Sequence, residues 1–357
     1  MSNDLMVYLK TTDTCQLNCA HCFTNGTNGK KGWFDVDKTV DFFKRLQEYN
    51  PTYENVNISF HGGEPMLAPT ELIFEAYKGI NGLWPGMWWS VQTNLTYPLS
   101  EDKLRVFDEI CDKSFGTSWD VNIRWRGDLN QQMQWEHNVR WLNSNGYDLT
   151  VMICVDKDIV AMEPIDIINK MIDFGFAHIA FERITANGNA VQSLDSLMPS
   201  NKDLDAWFLK MWHQCVEHKT YEKIDNMFLD SILTELVYNT HAGCRCRECE
   251  QKILTINADG TIGGCPNGAV ESQFGTVEDN VMELMTSEGR MCNIQSEIVR
   301  HPMCSICPVF DVCNGDCHQL SWEGNVCAAP KSMMKEMKKN RDIPLFEKFL
   351  NGFMGQE

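Results

Sequence analysis

Cys15, Cys19 and Cys22 lie within eight residues at CxxxCxxC spacing. Each iron of a four-iron, four-sulfur (4Fe–4S) cluster commonly takes one cysteine thiolate, so three thiolates hold three irons and leave the fourth without a protein ligand. A small molecule can chelate at that open position and receive an electron. The same cysteines also suit a closed tetrahedral zinc with His21 as fourth ligand, or three buried free thiols. Ten of the sixteen cysteines come later: Cys244, Cys246, Cys249, Cys265, Cys292, Cys304, Cys307, Cys313, Cys317 and Cys327. No signal peptide precedes them and a cytoplasmic chain is expected, so such close spacings read as metal or cluster ligands rather than disulfides.

Other residues have the types that a ligand site needs. His61-Gly62-Gly63-Glu64-Pro65 joins two glycines, which let backbone approach a ligand closely, to a carboxylate suited to an ammonium group. Read alone, it would equally be a turn with a capping glutamate. Gln92-Thr93-Asn94 and Thr117-Ser118-Trp119-Asp120 follow, with Arg124 and Arg126 just beyond. A guanidinium matches a carboxylate in geometry, while a solvated surface arginine is the alternative for either one.

The elements that must position these residues show in the hydrophobic pattern. Strands are expected at 5–9, 55–60, 87–93, 113–120, 149–155 and 178–182. Helices are expected at 36–49 after Asp35, 69–83, 100–112, 130–145 before Gly146, and 163–174. Six alternating strand and helix units predict a parallel sheet. Stretches 201–217 and 223–239 read as amphipathic helices, with Trp207, Phe208, Met211, Trp212, Ile224, Met227, Phe228, Ile232 and Leu236 as their core stripe. Apolar runs around Asp259-Gly260 predict a hairpin, and 331–357 a tail helix carrying Phe346, Phe349 and Leu350. The formal charge of −18 speaks against a nucleic-acid binder, and no segment reaches membrane-spanning length. Cys111, Cys154 and Cys215 fall in expected helices or strands and are assigned to core packing.

Taken in order, CxxxCxxC, the GGEP segment and the QTN segment resemble the radical S-adenosylmethionine (radical SAM) family. The later cysteines, running Cys249-x10-Gly260-x4-Cys265, then Cys304-x2-Cys307-x5-Cys313-x3-Cys317, then Cys327, closely resemble its SPASM extension. The resemblance implies a partial (β/α)6 TIM barrel, with the site at the carboxyl ends of the strands, followed by a small cysteine-rich domain. The implied division is barrel 1–200, helical bridge 201–240, SPASM domain 241–330 and tail 331–357. It implies S-adenosylmethionine and one 4Fe–4S cluster on Cys15, Cys19 and Cys22. Gly62, Gly63, Glu64, Thr93, Asn94, Ser118 and Arg126 are implied around the cofactor, with Arg124 as the alternative arginine. Asn187-Gly188-Asn189-Ala190 is similar to a GNA segment near the adenine. Two auxiliary 4Fe–4S clusters are implied, one on Cys244, Cys249, Cys265 and Cys317, the other on Cys304, Cys307, Cys313 and Cys327. Cys246 competes with Cys244 or Cys249, and two structural zincs are the alternative. The pattern departs at Leu95, where QTN is usually followed by glycine, and at Val121, where the SxDG-like segment lacks its glycine.

The implied reaction is hydrogen-atom abstraction from a peptide or protein, giving an oxidative modification such as a crosslink. An external electron donor such as flavodoxin or ferredoxin is implied, with neither nucleic acid nor membrane as partner. Formylglycine formation, as in sulfatase maturases, is the first alternative. Those enzymes carry an Asp after the cysteine of G-x4-C, where this chain has Pro266, so a displaced base such as Asp316 or Glu182 would be needed. Peptide epimerisation with Cys292 as hydrogen donor, a small-molecule dehydrogenase and a non-catalytic iron–sulfur carrier are the others. Only fourteen residues precede Cys15, so leader recognition is expected to need a separate protein or another surface.

Overall fold

The computed structural model describes residues 3–24, 26–120, 122–268 and 270–352. Val121, the missing-glycine position, and the end of the tail lie outside them. The first half alternates as the sequence predicts: β1 (Asp4–Thr12), α1 (Val36–Tyr49), β2 (Asn55–Gly62), α2 (Thr70–Ile80), β3 (Met87–Val91), α3 (Glu101–Glu109), β4 (Ser114–Ser118), α4 (Leu129–Ser144), β5 (Asp148–Val155), α5 (Pro164–Phe174) and β6 (His178–Arg183). Local signals set the helix ends. Asp35, Ser100 and Asp128 accept amide hydrogen bonds from the first turns of α1, α3 and α4, and Gly175 closes α5 in the left-handed conformation at φ 88°.

All six strands run parallel. β1 pairs β2 and β2 pairs β3; β4 pairs β5 and β5 pairs β6. A bridge between Gln92 and Gly116 joins the two halves, giving the partial barrel. Leu5, Val7, Leu9, Val56, Ile58 and Phe60 are at most 1% exposed, so two consecutive strands bury one face together. β4 is shorter than expected. Asp112 and Lys113 turn through positive φ (47° and 62°) before it, and Trp119-Asp120 leaves the ladder after it.

Beyond the barrel, α6 (Asn201–Glu217) carries Trp207, Phe208, Met211 and Trp212 into the core. The next expected helix starts later. β7 (Asp225–Asn226) first adds to β6, and α7 (Met227–Tyr238) follows, capped by Asn226. Ile224 is buried ahead of the helix, while Met227 at its first position is 47% exposed. The expected hairpin is β8 (Ile253–Ile256) and β9 (Thr261–Gly263), with Gly260 at φ 86° in the turn and β10 (Gly275–Thr276) paired to β9. β8 also pairs parallel to β1, from Met6↔Ile253 to Leu9↔Ile256, so the hairpin extends the barrel sheet. A helix the sequence reading omitted, α8 (Glu288–Ile298), packs against the short turn that leads into β8, where Arg290 donates to the Gln251 carbonyl at 3.0 Å. The tail is two helices, α9 (Lys331–Lys339) and α10 (Ile343–Asn351). Pro344 is tolerated in the first turn of α10, where its missing N–H costs nothing. Phe346 and Phe349 pack on Trp212. No helix of the described residues is long and apolar enough to cross a membrane.

Candidate active site

A cavity of about 280 Å³ opens at the carboxyl ends of the strands. Cys15, Cys19 and Cys22 line it together with Gly62, Gly63, Glu64, Thr93, Asn94 and Ser118. The two glycines are required by contact. A Cβ on Gly62 would stand 2.1 Å from the Thr12 carbonyl oxygen, and one on Gly63 2.1 Å from that of Thr14. The amides of Gly63 and Glu64 donate to these same carbonyls at 2.8 and 2.9 Å. The glycine segment is therefore laced to the strand end that leads into Cys15.

Glu64 is 1% exposed. Its carboxylate accepts from the Met66 amide (3.0 Å), the Thr93 hydroxyl (2.7 Å) and the Asn94 amide (2.8 Å). Burial pushes its pKa up to about 7 against those three hydrogen bonds. Asn94 in turn donates to Cys15 Sγ at 3.5 Å and accepts from Gln16 at 3.0 Å. Leu95, where the resemblance expects glycine, adopts φ 50°. Asn189 holds the other side of the cysteine loop, donating its amide to the Cys22 carbonyl (2.8 Å) and its side chain to that of Cys19 (3.0 Å). Burial raises Cys15 to about 12 and Cys19 to about 11. Thiols so placed ionise only against a cationic partner, such as a metal.

Of the two arginines, Arg124 lines the cavity. It grips Asp120 at 2.7 and 3.0 Å, and Asp120 also accepts the Cys154 amide at 2.7 Å. Arg126 lies outside the cavity with its guanidinium on the Asn18 carbonyl at 3.4 Å. Cys111 and Cys215 are core residues, 2% and 0% exposed. Cys154 packs against a small buried cluster of Ile123, Ile184, Ala190 and Leu197 and also lines the cavity. His21, Asp120 and Cys154 come close enough to share one ion, with two of the Asp120 contacts already made to Arg124.

The far wall of the cavity includes Tyr8, Glu182, Pro266 and Asn267. Pro266 and Asn267 follow Cys265 directly, so the second cysteine set begins where the cavity ends. Cys244 donates to the Asp316 carboxylate at 3.5 Å, one residue before Cys317, and Cys249 and Cys265 flank the β8–β9 hairpin. Cys304, Cys307, Cys313 and Cys327 line a separate cavity of about 140 Å³. Cys317 lines that cavity as well, so it stands between the two sets. Cys246 instead donates to the His241 carbonyl at 2.7 Å.

The sequence reading missed the network between the two sets. Asp316 takes both terminal nitrogens of Arg183 at 2.8 Å, Arg245 at 3.4 Å, and the Cys317 amide at 2.7 Å. Although burial alone would raise it, the two guanidiniums hold its carboxyl well below the ordinary range. Asp316 is therefore no free base. Glu182 differs: it faces the cavity, accepts no side-chain hydrogen bond among the described residues, and is raised in pKa by the protein around it. Nothing local in the sequence distinguished these two carboxylates.

Residues 9–121 match the model of the radical SAM superfamily. No curated protein matches the chain. Among solved structures, native anSMEcpe with bound AdoMet and Cp18Cys peptide superposes with a TM-score of 0.77 at 16% identity, covering 99% of each chain. Native anSMEcpe with bound AdoMet gives 0.76 at 16% identity, over 99% of this chain and 100% of that one. Streptococcus suis SuiB bound to precursor peptide SuiA gives 0.62 at 12% identity, over 89% of this chain and 72% of that one. The family match is confined to the part of the barrel that holds the cysteine loop and the glycine segment, and at these identities the likeness to these structures, which spans nearly the whole chain, is in fold.

Proposed function

We propose that this chain abstracts a hydrogen atom from a peptide or protein and leaves an oxidative modification such as a crosslink. Bound on a 4Fe–4S cluster, S-adenosylmethionine would supply the abstracting radical by reductive cleavage. The observation that carries the reading is the shared cavity: Cys15, Cys19 and Cys22 form one wall, and the residues after Cys265 form the other. Cys15, Cys19 and Cys22 would hold the cluster. Gly62 and Gly63 would offer close backbone, Thr93, Asn94 and Ser118 hydrogen bonds, and Arg124, in preference to Arg126, a guanidinium for the cofactor carboxylate. Glu64 would act through the backbone it pins and through the one acceptor site on Oε2 that its three hydrogen bonds leave open. Cys244, Cys249, Cys265 and Cys317 would hold one auxiliary cluster, and Cys304, Cys307, Cys313 and Cys327 the other. Similarity to structures containing Cp18Cys and SuiA peptides supports a peptide substrate. We further propose a cytoplasmic setting with a flavodoxin- or ferredoxin-like donor.

Replacing Cys15, Cys19 and Cys22 together by Ala tests this. Cofactor cleavage under dithionite should vanish while about two-thirds of the iron remains, since each cluster is held by its own thiolates. Unchanged iron content or surviving cleavage would overturn it.

A second reading, oxidation of a Ser or Cys side chain, is favoured by Glu182, an open carboxylate in the cavity where Pro266 cannot serve as base. Glu182→Gln should then block product formation while leaving uncoupled cofactor cleavage intact. Cys292 is exposed on α8 and does not line the cavity, which leaves an epimerase without its expected hydrogen donor.

A further inference from the structure

Asn138 is a buried residue of α4, 2% exposed. Its side-chain nitrogen donates to the Leu95 carbonyl at 2.9 Å and to the Tyr97 carbonyl at 2.7 Å. Both partners are backbone carbonyls, which only accept, so the atom facing them must be the nitrogen. Its oxygen accepts from Gln134 at 3.1 Å. Among the described residues no other donor reaches either carbonyl. α4 is itself held at this level by the fully buried Trp135, which donates to the Thr117 hydroxyl at 3.0 Å near the end of β4.

The turn that Asn138 grips is strained. Leu95 stands at φ 50° with its side chain fully buried. In the left-handed region a Cβ crowds the following carbonyl oxygen. At a residue such as leucine that conformation persists only where the surrounding structure over-determines it. Here three contacts do so. The Leu95 amide reaches the Thr93 hydroxyl at 3.5 Å, and that hydroxyl shares a hydrogen bond with the Tyr97 hydroxyl at 2.6 Å. Asn138 then ties the carbonyls of Leu95 and Tyr97 to one nitrogen.

The consequence falls on Asn94, which lines the cavity. Its side-chain oxygen accepts from the Thr96 amide (3.0 Å), the Thr96 hydroxyl (2.8 Å) and Gln16 (3.0 Å). A backbone amide only donates, so the oxygen must face Thr96 and the nitrogen must face Cys15 Sγ, at 3.5 Å. Thr96 lies between the two residues that Asn138 holds. An extended backbone at Leu95 would carry Thr96 away and release the Asn94 side chain from Cys15. Outer partners orient metal ligands, and cluster potentials respond to hydrogen bonds on the ligating sulfurs. We infer that Asn138 is a positioning residue of the active site: it locks the left-handed turn at Leu95 and so keeps the Asn94 N–H on Cys15 Sγ. The inference rests on the reading of Cys15, Cys19 and Cys22 as cluster ligands. Asn138 is not among the residues that line the cavity, and acts through the turn alone.

The test uses the reconstituted chain. Its first-cluster signal in electron paramagnetic resonance is the one lost when Cys15, Cys19 and Cys22 are replaced by Ala. Asn138→Asp keeps the shape and, when ionised, has no N–H to give. The potential of that signal should move downward by about tenfold in the reduction equilibrium, or about 59 mV for one electron. S-adenosylmethionine binding, measured by calorimetry, should weaken about tenfold, with iron content unchanged. Leu95→Gly removes the strain, because glycine takes the left-handed region freely. In the Leu95→Gly background, Asn138→Asp should change potential and affinity less than about twofold, as expected of two residues acting through one turn. If Asn138→Asp does not fold, Asn138→Leu, similar in volume and without donors, carries the same expectations. Potential and affinity unmoved by the substitution would overturn the inference, as would a loss of equal size in the Leu95→Gly background. Iron content unchanged by the triple Ala replacement would overturn the cluster reading, and the inference with it.

Discussion

Glu64 shows how one carboxylate serves both fold and site. It satisfies three buried donors, on Met66, Thr93 and Asn94, and Asn94 then reaches Cys15. Leaving a buried donor unsatisfied costs about 1–3 kcal/mol. Glu64→Ala should therefore lower the melting temperature as well as weaken S-adenosylmethionine binding. Loss of affinity with unchanged thermal stability would show that the three hydrogen bonds carry no structural weight. For the arginines, Arg124→Gln should weaken cofactor binding, measured by calorimetry, at least tenfold more than Arg126→Gln. Equal effects would count against the distinction. Residue identities at this scale were legible where the chain is local: CxxxCxxC and Gly62-Gly63-Glu64 stand next to strands whose ends they occupy. The choice between Arg124 and Arg126 was not. It depends on Asp120, which anchors Arg124 four residues on, while Arg126 turns through φ 50° away from the cavity.

At the scale of elements, β6, β7 and α7 meet at a titrating cluster outside the active-site cavity. His178 contacts Asp225 at 3.0 Å, and Asp225 and Asp230 share a proton. Burial would raise Asp225, but hydrogen bonds from His178 and Asp230 outweigh it and hold it low. Burial and the Asp225 charge push Asp230 up to about 9. Between its ordinary value of 3.8 and that value, the folded chain keeps a proton that the unfolded chain has released. Stability should therefore fall as pH rises through this window. Asp230→Asn keeps a donor for Asp225 and should flatten the slope of melting temperature against pH. A slope unchanged by the substitution would contradict the shared proton. The barrel elements themselves were readable to within a few residues, because buried strands and capped amphipathic helices announce themselves locally. The start of α7 was missed because Asp225-Asn226 first pairs with β6, a partner far off in sequence. The split tail was missed because the same periodicity runs on either side of its break.

Across the whole molecule, Asp316 is the point where the barrel strand β6, both cysteine sets and the loop after Cys313 meet. Removing one partner of a buried ion pair typically costs about 3–5 kcal/mol. Asp316→Ala should destabilise the chain by that order in denaturant unfolding and, on the proposed cluster assignment, lower the iron content of both cysteine sets. A loss confined to one set would show that the network does not couple them. No sequence pattern could have revealed this junction, since Arg183, Arg245 and Asp316 meet only once the cysteine-rich region has folded back on the barrel.

The pairing of β8 with β1 also fixes a length. β1 runs into the Cys15 loop and β8 turns through β9 to Cys265, so the two walls of the cavity hang from adjacent rungs of one ladder. A one-residue slip would turn every side chain to the wrong face, and the next permitted step is a jump of about 7 Å. The mouth therefore cannot widen by degrees through swinging one region against the other. A guest must be of a size already set by that ladder, or enter where loops alone close the opening, as at the contact of Asn187 with the Asn267 carbonyl.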